Sequence, residues 1–449
     1  MSFVGITLSA QNDSITKIKY IVDIPLIDAP YSFKHNALSY SSFSPGMPAS
    51  LRLAKNYTVI QKYYTKRLFI NPNKDYPISG KILRYAGFGL IDLIIENFFI
   101  TMPLTGTWLH EEGHRAVMTQ YGISSFNDMN TFPYGQDFVA VNSIKDEELA
   151  NMKENHPKDF IRLPIAGIEM QFEMIKSLQK DNFYHELKLP LGFSYLFNVI
   201  NSVSYVNSAD DPSAVDSLTI EIEGIEGSNI KNRDFTGYDF TAWAYDLFRS
   251  DEPYANRGTH PSGVGIRRYR RTTDLTSEEL GYLEKMGKRQ LINFINPGIL
   301  FINSIKINNN LRFNFSGFHY LTSFGDDIGG NVFLHYKNYR LFTAFHRYQN
   351  YNHSFYGLEA QLIDYEYNFM GRLFNLSPLI HLWTQPKNQE FKTSSSQFGG
   401  KLGLSAETNL GNWARPYINI SAKTKGWVAG DVFLGNNFSA LMGLKIHVK

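Results

Sequence analysis

Two histidines four residues apart stand in the stretch TWLHEEGHRAVMTQYGI, residues 107–123. On a helix, His110 and His114 project from one face, one turn apart. That spacing lets two imidazoles reach one tetrahedral zinc ion at about 2 Å each. Glu111 follows the first histidine and can reach water activated by such an ion from the side. Its role would be that of a general base, because zinc lowers the pKa of water to about 7. The flanking residues suit a helix: Trp108, Leu109, Ala116, Val117 and Met118 surround the motif with apolar side chains, and Gly122 stands where a helix terminates. The alternative for this pattern is a pair of core histidines on an amphipathic helix. The chain has no cysteine, which excludes disulfides, thiolate zinc and cysteine nucleophiles. Any metal must be held by His, Asp or Glu.

The segment HEEGHRAVMTQYGI resembles the active-site helix of H-E-x-x-H zinc metallopeptidases. It is similar also to site-2 proteases, where H-E-x-G-H precedes a helix of small residues. The resemblance covers this stretch alone and implies a third ligand elsewhere. The metzincin extension needs Gly and His where Val117 and Gln120 stand. A thermolysin-like short spacer needs a Glu, but residues 128–142 offer Asp128 and Asp137 instead. The apolar L-D-G tripeptide of site-2 proteases is absent. What remains is a gluzincin-like arrangement with a long spacer, and LPIAGIEMQFEMIKSL suits it. There Ala166, Gly167, Ile168 and Met170 form a small, apolar helix able to approach the first closely. By the gluzincin pattern Glu169 is the third ligand. Glu173 follows as a further metal candidate, or as an acceptor steadying a ligand imidazole. The alternative makes both solvent-facing charges, paired with Lys176 and Lys180.

Two further stretches carry candidates. In DFTGYDFTAWAYDLF, Asp239 or Asp246 could orient a ligand histidine or replace Glu169; otherwise they are capping and surface acids around Trp243. In RGTHPSGVGIRRYRR, His260 is a candidate oxyanion stabiliser with a catalytic role. Arg267, Arg268, Arg270 and Arg271 could meet lipid phosphates or an acidic partner, or form a solvated face.

The elements that must position these residues divide the 449-residue chain by texture. Net charge is +2, which gives no electrostatic case for nucleic acid. Charged residues are 19% and aromatics 15%, a balance that suits a barrel with aromatic girdles. The opening MSFVGITLSAQNDS reads as the remnant of a signal peptide over 1–11, cleaved near Ala10, or as an ordinary first strand. From about 83 to 306 the pattern is helical. Three apolar segments there are expected to be core helices: YAGFGLIDLIIENFFITMPLTGTW, LGFSYLFNVINSVSYV and LINFINPGILFINSI. The first is long enough to span a bilayer, but it carries Asp92 and Glu96 and is interrupted by Pro103.

Residues 310–449 alternate with period two. KLGLSAETNL sets Leu402, Leu404, Ala406 and Leu410 against Lys401, Ser405, Glu407 and Asn409, and YINISAKTKG and SALMGLKIHVK repeat the scheme. Strict alternation over such lengths is a transmembrane β-barrel signature. A soluble sheet with its apolar face inward is the alternative, and the closing Lys449 stands where bacterial outer-membrane barrels carry an aromatic residue.

The expected fold is therefore α+β. A mainly helical, zincin-like metallopeptidase domain over 12–309 precedes an antiparallel β-barrel of about eight strands over 310–449. The expected function is a membrane-associated, zinc-dependent endopeptidase that acts on envelope proteins in a Gram-negative outer membrane. Its partners would be protein or peptide substrates, membrane lipid and other outer-membrane proteins. A non-catalytic accessory subunit with a structural or vestigial metal site is the first alternative. A site-2-like protease within an inner membrane is the second.

Overall fold

Long period-two segments can hydrogen-bond edge to edge while showing one face to a helical layer, and the C-terminal third does so. The structure is a computed structural model that describes residues 20–31, 42–71, 74–97, 104–131, 140–185, 190–300, 302–411 and 413–448. The expected signal remnant, 1–11, lies outside the described residues.

Strand β1 (Tyr20–Ala29) is followed by helices α1 (Met47–Phe69), α2 (Ile78–Asn97) and α3 (Leu104–Gln120). The short pair β2 (Phe126–Asn127) and β3 (Val141–Asn142) precedes α4 (Asp146–Asn155), α5 (Pro157–Arg162) and α6 (Ala166–His185). Helices α7 (Pro190–Asn207), α8 (Pro212–Glu226), α9 (Asp239–Phe248) and α10 (Ser277–Arg289) complete the helical part. Then come β4 (Ile305–Lys306), β5 (Leu311–Thr322), β6 (Gly325–Tyr336), β7 (Tyr339–Gln349) and β8 (Ser354–Leu362). Last are β9 (Tyr365–Phe369), β10 (Arg372–Pro386), β11 (Ser396–Thr408), β12 (Ala414–Lys423) and β13 (Asn437–Val448).

Among the described residues, eleven strands form one antiparallel sheet in the order β1-β13-β12-β11-β10-β8-β7-β6-β5-β4, with β9 added to β10. The fold is α+β, as expected, but the sheet has more than eight strands. Among the described residues its edge strands β1 and β4 do not pair with each other, and the sheet is not closed. Strand β1 pairs with β13, which brings the N-terminal segment into the sheet.

Alternation in this sheet runs opposite to that of a soluble sandwich. The inner face buries Asn314, Ser316, His381, Gln385 and Glu407, while the outer face exposes Phe345, Leu358, Leu382, Leu402 and Phe438. Helix α6 runs along this inner face and meets part of it. Ser316 donates to Gln179 Oε1 at 2.9 Å, Lys180 donates to Gln361 Oε1 at 3.1 Å, and Tyr184 donates to the Leu341 carbonyl. Helices and sheet share one apolar core, with Trp243, Trp383 and Trp427 buried in it.

The three apolar segments behave differently from one another. Helix α7 is a core helix along Val199, Val203 and Val206. Helix α2, by contrast, leaves Tyr85, Leu90 and Ile94 of the first segment exposed, against the expectation of a core position. The third segment is no α-helix: Pro297 lacks an N–H and breaks it into 3-10 turns at Gln290–Phe294 and Pro297–Leu300. Among the described residues no helix is long and apolar enough to cross a membrane.

Candidate metal centre

Helix α3 forms and ends as its sequence predicts. Leu109, Ala116, Val117 and Met118 are buried, and the chain leaves the helix through Gly122 at φ +74°, a conformation that costs glycine little. The Ile123 amide then donates back to the Met118 carbonyl at 3.1 Å.

Both histidines are fixed from behind. His110 Nδ1 donates to Gln171 Oε1 at 3.2 Å, and His114 Nδ1 donates to the Leu163 carbonyl at 2.7 Å. With each Nδ1 engaged behind the ring, each Nε2 is left to face the site, and it becomes a metal ligand once its proton is gone. The two Nε2 atoms converge on one carboxylate oxygen, Asp239 Oδ2, at 2.9 Å and 3.6 Å. All three side chains are buried. Two imidazoles and a carboxylate facing one another in a dry pocket need positive charge among them, from a proton on an imidazole or from a metal ion.

The space between them suits an ion. Gly167, on α6, faces the two imidazoles, and a Cβ there would fall 2.5 Å from both Nε2 atoms. A side chain at this position would fill the volume in which a ligand-to-metal distance of about 2 Å fits. One turn away on α3, a Cβ on Gly113 would meet the Ala166 carbonyl oxygen at 2.4 Å. The glycines Gly113 and Gly167 thus let the backbones of α3 and α6 touch beside the donor set.

Asp239 is the first residue of α9, and the loop before it is tied down. Asp234 accepts from the Val141 amide at 3.0 Å and from the Gly237 amide at 2.8 Å. Arg268, buried, donates to Asp146 and to the carbonyls of Ile144, Arg233 and Asp234. Tyr205, from α7, donates its hydroxyl to Asp239 Oδ2 at 3.1 Å.

Electrostatics follow this geometry. Burial would raise the Asp239 carboxyl, but His114 and the hydrogen bonds from both imidazoles hold it at about 2. Burial lowers His110, with Asp239 opposing. Burial also works against charge on His114, yet Asp239 keeps it above the usual imidazole value. Glu111 is buried too; that burial, then the Asp239, Asp234 and Asp128 carboxylates, push it well above the usual carboxylate range.

Not every candidate residue joins this cluster. Glu169 is held elsewhere: Arg162 donates to it at 2.6 Å and 3.1 Å, the Gly430 amide at 2.8 Å and Trp427 Nε1 at 3.2 Å. Glu173 pairs with Lys176 at 2.6 Å and accepts from the Tyr320 hydroxyl at 2.9 Å. Neither carboxylate belongs to a metal-holding group among the described residues; the third position beside the histidines is taken by Asp239. His260 contacts Ser262 Oγ at 3.0 Å and lies 4.0 Å from Glu226, in a loop outside the cluster. Asp246 is buried between Lys153 and Arg257. The expected arginine face is turned inward: Arg267 and Arg271 pair with Glu223, and Arg268 and Arg270 are buried. Gln171 and Tyr205 carry no sequence signal, since a group that hydrogen-bonds to a ligand side chain has no fixed spacing in the chain.

Two buried histidines of an H-E-x-x-H helix and Asp239 of α9 together define a candidate metal centre in an α+β protein. No protein family, curated protein or solved structure matches the chain.

Proposed function

We propose that the chain is a zinc-dependent peptidase whose sheet sits against lipid. The observation that carries this reading is the convergence of His110 Nε2 and His114 Nε2 on Asp239, with Glu111 next along the same helix. His110, His114 and Asp239 would hold the ion, and both imidazoles already turn Nε2 toward Asp239. Zinc, when bound, supplies a Lewis acid for a peptide carbonyl and lowers the pKa of water to about 7. Glu111, once ionised beside the cation, would take the proton of the attacking water and return it to the leaving amine. Tyr205 keeps Asp239 oriented, and burial of the whole set strengthens each of these interactions by excluding water.

Lipid contact is supported by the inverted polarity of the sheet, whose strands β5 to β8 and β10 to β13 run 9 to 15 residues. Strands of about 9–11 residues or more reach across a hydrocarbon core. An apolar outer face against lipid is the arrangement of an outer-membrane barrel, and envelope proteins would then be the substrates within reach.

The test is zinc content and proteolysis by detergent-purified wild type and Glu111→Gln. Equal zinc in both, with cleavage of an unfolded protein lost by about 10²–10⁴-fold in the variant alone, is the expected result. Absence of zinc, or cleavage that does not depend on Glu111, overturns the reading. A second reading, an accessory subunit with a structural metal, is favoured by the burial of His114, Glu111 and Asp239. Its mark is stoichiometric zinc with no cleavage by either form.

A further inference from the structure

Far from the histidine helix along the chain, a second set of donors meets on the inner face of the sheet. Across β8 and β10, Glu359 is paired with His381; across β7 and β8, Glu359 is paired with Ala344, which sets His346 diagonally beside it. The two-residue period of each strand sends all of them to the same face. One donor atom from each of His346, Glu359 and His381 lies within 4.8 Å of the others.

His346 is oriented by a carboxylate behind it. Its Nδ1 donates to Asp327 Oδ2 at 2.8 Å, which leaves the Nε2 lone pair facing Glu359 Oε2 at 3.9 Å. That Nε2 has no hydrogen-bond partner, although the side chain is only 8% exposed. A buried acceptor without a partner is costly unless something occupies the space in front of it. The His381 ring stacks on His346 with centroids 4.7 Å apart, and its Nε2 lies 3.0 Å from the Tyr348 hydroxyl. Beside these groups, between Lys176, Tyr320 and Trp427, is a cavity of about 20 Å³, enough for one water-sized occupant.

We propose that His346, Glu359 and His381 form a second divalent-metal site of the zinc class, which clips β7, β8 and β10 together beneath Trp427. Two imidazoles and one carboxylate suit zinc rather than magnesium or calcium, which prefer oxygen donors. The Asp327–His346 pair is the carboxylate–histidine arrangement that fixes a ligand ring and raises its basicity. The cavity leaves room for water as a fourth ligand. The nearby ammonium groups are engaged with oxygens of their own, Lys176 with Glu173 at 2.6 Å and Lys180 with Gln361 at 3.1 Å. None of the donors belongs to the His110 centre, so the two sites stand or fall separately.

The experiment removes the first donor set. Untagged full-length protein with His110→Ala and His114→Ala is loaded with Zn²⁺, desalted and assayed for metal. It should retain about one equivalent, and Co²⁺ in its place should give the visible absorption of a tetrahedral site. Adding Glu359→Gln or His346→Ala should weaken Zn²⁺ binding at least tenfold. If the double variant does not fold, wild type and Glu359→Gln are compared instead, and the variant should lose one equivalent. A folded double variant that retains no Zn²⁺ overturns the proposal, as does undiminished binding after Glu359→Gln.

Discussion

Asp239 Oδ2 receives more than any other atom of the centre: two imidazoles face it and the Tyr205 hydroxyl donates to it. Burial, then Asp239 itself, pushes the Tyr205 phenol well above its usual value, so it stays a donor at any working pH. Its removal by Tyr205→Phe should leave the fold intact and weaken zinc binding about 10- to 100-fold, the usual effect of losing an acceptor or donor behind a ligand. Competition against a chelator measures this directly. Unchanged affinity would show that Asp239 does not depend on the tyrosine. At this scale the sequence was most legible where chemistry has a fixed spacing. His110, Glu111 and His114 are one helical turn, and the pattern places them without tertiary knowledge. Asp239 lies 129 residues from His110 and could be named only as one of two acids able to orient a ligand histidine or replace Glu169.

Helix α6 explains why Glu169 misled. The sequence around it does make a small, apolar helix that approaches α3, and Gly167 stands beside both imidazoles. Glu169, two residues further, turns toward another partner because α5 ends in Arg162, which is fully buried and needs a countercharge. That pair lies under the loop carrying Trp427 and Gly430, so Glu169 joins helices to sheet. Helix packing was readable from the small residues; which acid would meet which cation was not, because burial of an arginine is decided by tertiary contacts. The consequence is measurable. Glu169→Ala should lower stability by about 3–5 kcal/mol, since it leaves a buried guanidinium without its partner. Zinc stoichiometry should not change. Denaturant unfolding and metal analysis of the same sample separate the roles, and loss of one zinc at unchanged stability would return Glu169 to the ligand set.

For the molecule as a whole, the direction of the sheet's two faces decides where it resides. Alternation announced a two-faced sheet, but a sequence cannot say which face is inside; the buried Glu407 and exposed Leu402 say it here. Leu402 sits at the middle of β11, 62% exposed, paired across the sheet with Ile380 on one side and Ala422 on the other. If this face meets lipid, an arginine at that position lies near the bilayer midplane and should cost about 2–4 kcal/mol. If it meets water, Leu402→Arg is a surface substitution worth within about 0.5 kcal/mol. Refolding into lipid vesicles, followed by denaturant unfolding, distinguishes the two magnitudes. Wild type should also remain with the membrane pellet after a high-salt wash, because its hold is apolar rather than ionic. A chain that stays monomeric without detergent, and in which Leu402→Arg is neutral, would mean that the outer face is covered by something other than lipid. The peptidase proposed above would then have to find its substrates in solution.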